Sequence, residues 1–133
     1  LSDISHAIEE HVLKNGCSVV KDFTGHGLGR ALHEDPVIPN YGPAGRGPVL
    51  RKGMTLAIEP MVNRGKSGVR ILADDWTTVT LDKSDSAHFE HSIVITEDGI
   101  QEFEWSDMSR KVDFYEPNLT LDGFRMLYEL NKK

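Results

Sequence analysis

At 133 residues the chain is sized for one domain or part of one, with a core of moderate size at most. Its composition, 38% hydrophobic and 27% charged, is that of an ordinary globular protein and excludes disordered and low-complexity classes, while a formal charge of −6 argues against a nucleic-acid scaffold. No apolar run is long enough to span a bilayer, and the N-terminus lacks the basic and apolar regions of a signal peptide. The single cysteine, Cys17, excludes an internal disulfide and fits a reducing cytosol, so a cytoplasmic protein without membrane contact is expected. Cys17 reads more readily as a small buried residue than as a nucleophile, because it follows Gly16 and leads into Ser18-Val19-Val20.

The chain opens on a helix. Ser2 and Asp3 are good cap residues, Ile4, Ile8 and Val12 share a face, and Asn15-Gly16 supplies a stop. An opening on Leu1 directly before the cap reads as entry in mid-domain. Ser18 to Phe23 predicts a short strand running into Gly25-His26-Gly27, and the proline- and glycine-rich stretch from Pro36 to Pro48 predicts an ordered loop. Met54 to Val62 reads as one buried strand between the turns Arg51-Lys52-Gly53 and Asn63-Arg64-Gly65. Val69 to Leu72 and Trp76 to Leu81 predict further strands, and Ala87 to Thr96 a last long one closed by Glu97-Asp98-Gly99. Leu121 to Leu130 carries an apolar stripe of Leu121, Phe124 and Leu127 at helical spacing. Helix, antiparallel strands, helix is an α+β pattern.

Three residues carry the chemistry. Glu59 and Glu90 each stand in the middle of an otherwise apolar strand, where an unpaired carboxylate costs several kcal/mol and is therefore paired, protonated or bound to a metal. Alternation places Thr55, Ala57, Glu59 and Met61 on one face, with small Ala57 leaving room beside the carboxylate, and places His88, Glu90 and Ser92 on one face of the other strand. Ordinary salt bridges to Arg30, Arg51 or Arg70 would also satisfy either glutamate. Glycine on both sides of His26 supplies no packing but lets the backbone come close to a ligand, although a surface turn would have the same composition. One imidazole and two carboxylates form a hard, open ligand set suited to manganese, iron, cobalt or zinc. With no thiolate to close a structural zinc site, a catalytic metal is the better reading.

The blocks GHGLGRALHEDP, MTLAIEPMV and DDWTTVTLDKSDSAHFEHSIVIT, in that order between the first helix and Gly99, resemble the bacterial type of methionine aminopeptidase. Glu90 lies in Phe89-Glu90-His91 with a tryptophan strand before it, unlike the Arg-(Ile/Val)-Glu-Asp setting of prolidase-like relatives. The resemblance implies the pita-bread fold, an antiparallel sheet with flanking helices built from two pseudo-symmetric halves, of which this chain would be the C-terminal half. It implies His26 as imidazole ligand, Glu59 as metal ligand and general base, and Glu90 as the carboxylate bridging two divalent ions. His33 would contact the scissile amide, Leu32 and Trp76 would line the methionine pocket, and Ser86 would help hold a monovalent cation. The implied reaction is attack of a metal-bridged hydroxide on the first peptide carbonyl, releasing methionine from a methionyl peptide.

The family's first half supplies two aspartates on a hairpin, and neither Asp3 nor Asp22 can replace them. The expectation is therefore at most about one divalent ion (cobalt, manganese, iron or zinc) in this chain alone and two when the missing half completes it. The expected division is residues 1–99 as the C-terminal half of the catalytic domain and 100–133 as an unassigned extension with a terminal helix. An exposed apolar face should lead the chain to pair with the missing half or with itself. The alternative is a pita-bread module that binds without cleaving, yet such a module would be expected to lose ligands, and His26, His33, Glu59 and Glu90 are all present.

Overall fold

A computed structural model describes residues 1–102, and the amphipathic stripe at 121–130 lies outside them. Helix α1 (Ser2–Lys14) ends at Asn15, and Gly16, at φ 72°, turns the chain out in the left-handed region that glycine adopts without strain. The cap prediction needs correction: the N-cap is Leu1, and no side chain caps the helix. Ser2 and Asp3 bind the 45–46 loop instead. Ser2 Oγ accepts from the Arg46 amide at 2.6 Å and Asp3 Oδ1 from the Gly45 amide at 3.2 Å.

The strands in chain order are β1 (Ser18–Val19), β2 (Gly25–Gly27), β3 (Glu34–Ile38), β4 (Thr55–Ile58), β5 (Met61–Asn63), β6 (Val69–Ile71), β7 (Thr78–Thr80), β8 (Ser86–His88), β9 (His91–Ile95) and β10 (Ile100–Glu102). They form a five-stranded sheet in the order β10-β9-β4-β2-β3, a three-stranded sheet β1-β5-β8 and the β6-β7 ribbon, every pairing antiparallel. The α+β class predicted from the pattern is the class observed. Strand β3 falls where a loop was expected. It lies at the sheet edge, where Pro36 need donate no ladder hydrogen bond. Strand β10 pairs with β9, and the compact unit runs through Glu102.

Neither long strand is continuous. The Met54–Val62 run splits into β4 and β5 around Glu59-Pro60, and the Ala87–Thr96 run splits into β8 and β9 around Phe89-Glu90. Pro60 has no N–H to give a ladder, so the chain leaves one sheet and enters the other there. The pairing nonetheless keeps its register across the gap. Ile58 opposes His91 before it and Met61 opposes His88 after it, and the Phe89 amide donates to the Pro60 carbonyl at 3.1 Å between them. Glu59 and Glu90 are thus opposite residues at a shared break.

The core lies on the other face of the five-stranded sheet. Ile38, Leu56 and Ile93 are buried there, with Leu1, Leu50, Ile58 and Ile95 packed around them. Burying one such side chain contributes about 1.5–3 kcal/mol. The alternation that sends Leu56 and Ile93 into this core sends Ala57 and Ser92 to the face that carries His26.

Candidate metal centre

The glycines beside His26 are required by closeness and not by a special backbone angle. A Cβ on Gly25 would lie 2.2 Å from the Ala57 carbonyl oxygen, and one on Gly27 2.1 Å from the Asp35 carbonyl oxygen. Both obstacles are backbone, and both belong to the strands that flank β2. His26 is thereby held between β4 and the edge strand β3, directly opposite Ala57. Its Nδ1 lies 2.9 Å from the Gly27 carbonyl oxygen, and an Nδ1–H donated there leaves Nε2 with its lone pair.

That lone pair meets Glu59. Two positions along from Ala57 on the same face, the Glu59 carboxylate has Oε1 2.9 Å from His26 Nε2, and the two side chains are only 13% and 12% exposed. Oε1 is buried and accepts no hydrogen bond. Proximity and the missing hydrogen bond are consistent if two electron-pair donors face the same space. His88 Nε2 approaches the other oxygen, Oε2, at 3.5 Å. The Glu59 backbone is held as well, because the fully buried Asn40 donates its Nδ2–H to the Glu59 carbonyl at 2.9 Å. His88 and Asn40 were not among the residues read from the sequence. His88 could have been found by pairing the faces of the two long strands, whereas Asn40 sits in a loop where nothing local marks it.

The His33 ring lies 4.3 Å from that of His26, centroid to centroid, tilted by 55°. It is carried by the segment 28–33, which curls over Glu34: the Ala31 amide donates to Glu34 Oε1 at 2.8 Å, and a Cβ on Gly29 would fall 2.1 Å from that carboxylate. Leu32 on the same segment is exposed. Trp76 lies in the turn before β7 and not in a strand. Asp74 accepts from the Trp76 and Thr77 amides and from the Thr77 hydroxyl, and the hydroxyl contact above all lowers the Asp74 pKa. The indole is 88% exposed and lines a cavity of about 620 Å³ together with Val20, Phe23, Met61, Ser86 and His88. Ser86 Oγ donates to Asn63 Oδ1 at 2.7 Å, and the buried Asn63 in turn donates to the Lys66 carbonyl at 2.9 Å.

The model of metallopeptidase family M24 matches residues 1–97. The chain belongs to that family. It is 59% identical over 99 residues to methionine aminopeptidase 1 of Bacillus subtilis, covering 74% of this chain and 40% of that protein. It is 46% identical over 101 residues to the methionine aminopeptidase of Escherichia coli, covering 76% and 38%. Among solved structures, the methionine aminopeptidase of Thermotoga maritima superposes with a TM-score of 0.74 at 58% identity, covering 76% of this chain and 41% of that one. That of Rickettsia prowazekii also gives 0.74, at 46% identity and with the same coverage. The described residues therefore have the fold of part of the pita-bread domain, and the chain spans about 40% of the length of these relatives.

Membership of the M24 family implies divalent metal ions, and the pair at the strand break suits one. An imidazole nitrogen and a buried carboxylate oxygen 2.9 Å apart are hard donors that face each other. The fit is incomplete. Among the described residues no group of three or more His, Cys, Asp or Glu side chains converges as a ready cation site. Glu90, expected to point inward, is exposed although the register sets it opposite Glu59. The structure thus brings His26 and Glu59 together, with His33 beside them, and leaves Glu90 outside that contact.

Proposed function

We propose that the chain is the C-terminal part of a methionine aminopeptidase, a cytoplasmic metallo-exopeptidase that removes methionine from the N-terminus of a polypeptide once the rest of the domain is present. The observation that carries this reading is the His26–Glu59 pair, buried at the break of two strands in a fold whose relatives are methionine aminopeptidases. His26 and Glu59 would hold one divalent ion, with Glu90 joining when it turns inward to a second. A divalent ion so held supplies Lewis-acid activation of a peptide carbonyl and a nucleophile at neutral pH.

The chain's own residues do the rest. Glu59, fixed through Asn40, takes the proton as general base at its Oε atoms. His33, tilted against His26, would hydrogen-bond the scissile amide. The cavity beside His88 accepts the methionine side chain, with Trp76 as an apolar wall; Leu32, exposed on the 28–33 segment and not among the residues lining this cavity, would reach the pocket only in the completed domain, and Ser86 with Asn63 offers oxygens to a monovalent cation. Two ions in the complete domain and at most about one in this chain are the numbers this reading expects.

A second reading, a pita-bread module that binds peptides without cleaving them, is favoured by the exposure of Glu90 and the lack of a three-donor group. Co-expression with the first half of a bacterial methionine aminopeptidase separates the two. Methionine release from a Met-Ala peptide, lost in Glu59→Gln, supports the enzyme. A stable complex that binds the peptide and releases nothing supports the module.

A further inference from the structure

We propose that His88 is a positioning residue for Glu59 and also a wall of the side-chain cavity, so that a single ring joins the carboxylate to the pocket. Three observations meet on it. Its Nε2 is 3.5 Å from Glu59 Oε2 while Oε1 of the same carboxylate faces His26, so the two oxygens are assigned to different imidazoles. Its place is set by the backbone, since His88 opposes Met61 in the β5–β8 ladder and Met61 stands two residues past Glu59 in the chain. It also lines the cavity shared by Trp76, Met61 and Phe23, and its side chain is 44% exposed.

The physical consequence is a division of labour within one carboxylate. A glutamate on a strand break has three rotatable side-chain bonds and no helix or ladder to restrict them. With the carbonyl held by Asn40 and Oε2 bounded by His88 Nε2 at 3.5 Å, the space left to the carboxylate is small, and Oε1 is turned toward His26. His88 belongs to β8, in the three-stranded sheet, and Glu59 follows β4, in the five-stranded one. His88 therefore ties the two sheets together at the site. An occupant of the cavity that displaces the ring also releases Oε2.

The inference rests on His26 and Glu59 being metal ligands, and the test separates the two claims. Co2+ alone is titrated into the full 133-residue chain, followed by visible absorption and calorimetry, for wild type, His26→Ala, His88→Leu and His88→Gln. Glutamine is the informative variant, because its amide nitrogen can occupy the place of the imidazole Nε2–H. In His88→Leu, Co2+ should bind about tenfold more weakly with an altered ligand-field band, and His88→Gln should return to within about twofold of wild type. Wild-type behaviour in His88→Leu overturns the proposal, and so does a glutamine variant as impaired as the leucine one. If the wild type shows no His26-dependent band, the metal reading falls, and His88 is judged in the metal-free chain. There the Glu59 side-chain carboxyl 13C shift should move in His88→Leu and recover in His88→Gln, and an unchanged shift overturns the proposal.

Discussion

Glu59 and Glu90 occupy equivalent positions. Each stands where a long strand breaks, and each faces the other in an unbroken register, yet one is nearly buried and the other is exposed. The difference lies in their neighbours. Strand β4 has β2 on one side and β9 on the other, so Glu59 emerges between His26 and His88 with Asn40 beneath its carbonyl. Strand β8, which leads into Glu90, is the edge of the three-stranded sheet and has β5 on one side only. Whether a carboxylate in an apolar run is nearly buried or exposed thus depends on what flanks its strand, which alternation alone does not report.

The sharpest way to break the Glu59 side is through the glycines. Gly25→Ala or Gly27→Ala drives a methyl group into the carbonyl of a neighbouring strand, where no side chain can yield, and should cost about 3 kcal/mol or prevent folding. Urea unfolding followed by circular dichroism measures it, and a loss under about 0.5 kcal/mol would show that β2 does not need its close contacts. Next comes Asn40→Asp, nearly isosteric, which sets an acceptor against the Glu59 carbonyl in a buried place. It should destabilise by about 2 kcal/mol, whereas Glu90→Ala, on the exposed side, should stay within about 0.5 kcal/mol. Equal losses for the two variants would erase the contrast between the breaks.

A smaller effect tests the loops that support β5 and β8. The Lys66 amide above all, with the Ser84 hydroxyl and amide, holds the Asp82 carboxyl down to about 2 from its ordinary 3.8. A carboxylate whose folded pKa is depressed stabilises fully above its unfolded value and loses that stability as pH falls through the folded one. Asp82→Asn should therefore be less thermally stable than wild type at pH 5, and the two proteins should converge as pH falls from about 3.8 to about 2. A gap that persists unchanged at pH 2 would assign the Asp82 effect to packing. The smallest expected change in stability is that of Trp76→Ala, because the indole is 88% exposed and should contribute no more than about 0.5 kcal/mol. The same substitution in a completed domain should sharply lower kcat/KM for a Met-Ala peptide, and an unchanged value would remove Trp76 from the pocket.

Much of this was legible from the sequence because it is local. The α+β pattern, the stop at Gly16, the strands that carry Leu56 and Ile93, and the misfit of Glu59 among apolar neighbours follow from periodicity and turn residues. What was missed depends on partners distant in the chain. Pro60 marks the first break, but nothing within Phe89-Glu90 marks the second, which follows from its pairing to the first. Pro36 reads as a loop residue until β3 is known to be an edge strand. Ser2 and Asp3 look like caps and are drawn instead to amides more than 40 residues away. Asn40, which fixes Glu59, is identified only by the fold.

The groove between α1 and the three-stranded sheet, about 780 Å³ and lined by Ile4, Ile8, Ile58, Val62 and Phe89, bears on how much of the site this chain can form alone. Such an apolar surface should drive association, and light scattering at high micromolar concentration should find dimers or larger species. Whether His26 and Glu59 act as one cation site is read by calorimetric titration of Mn2+ into the full chain. One weak site per chain is expected, abolished in both His26→Ala and Glu59→Gln and retained in Trp76→Ala. Undiminished Mn2+ binding in the first two variants would show that the pair is not a cation site.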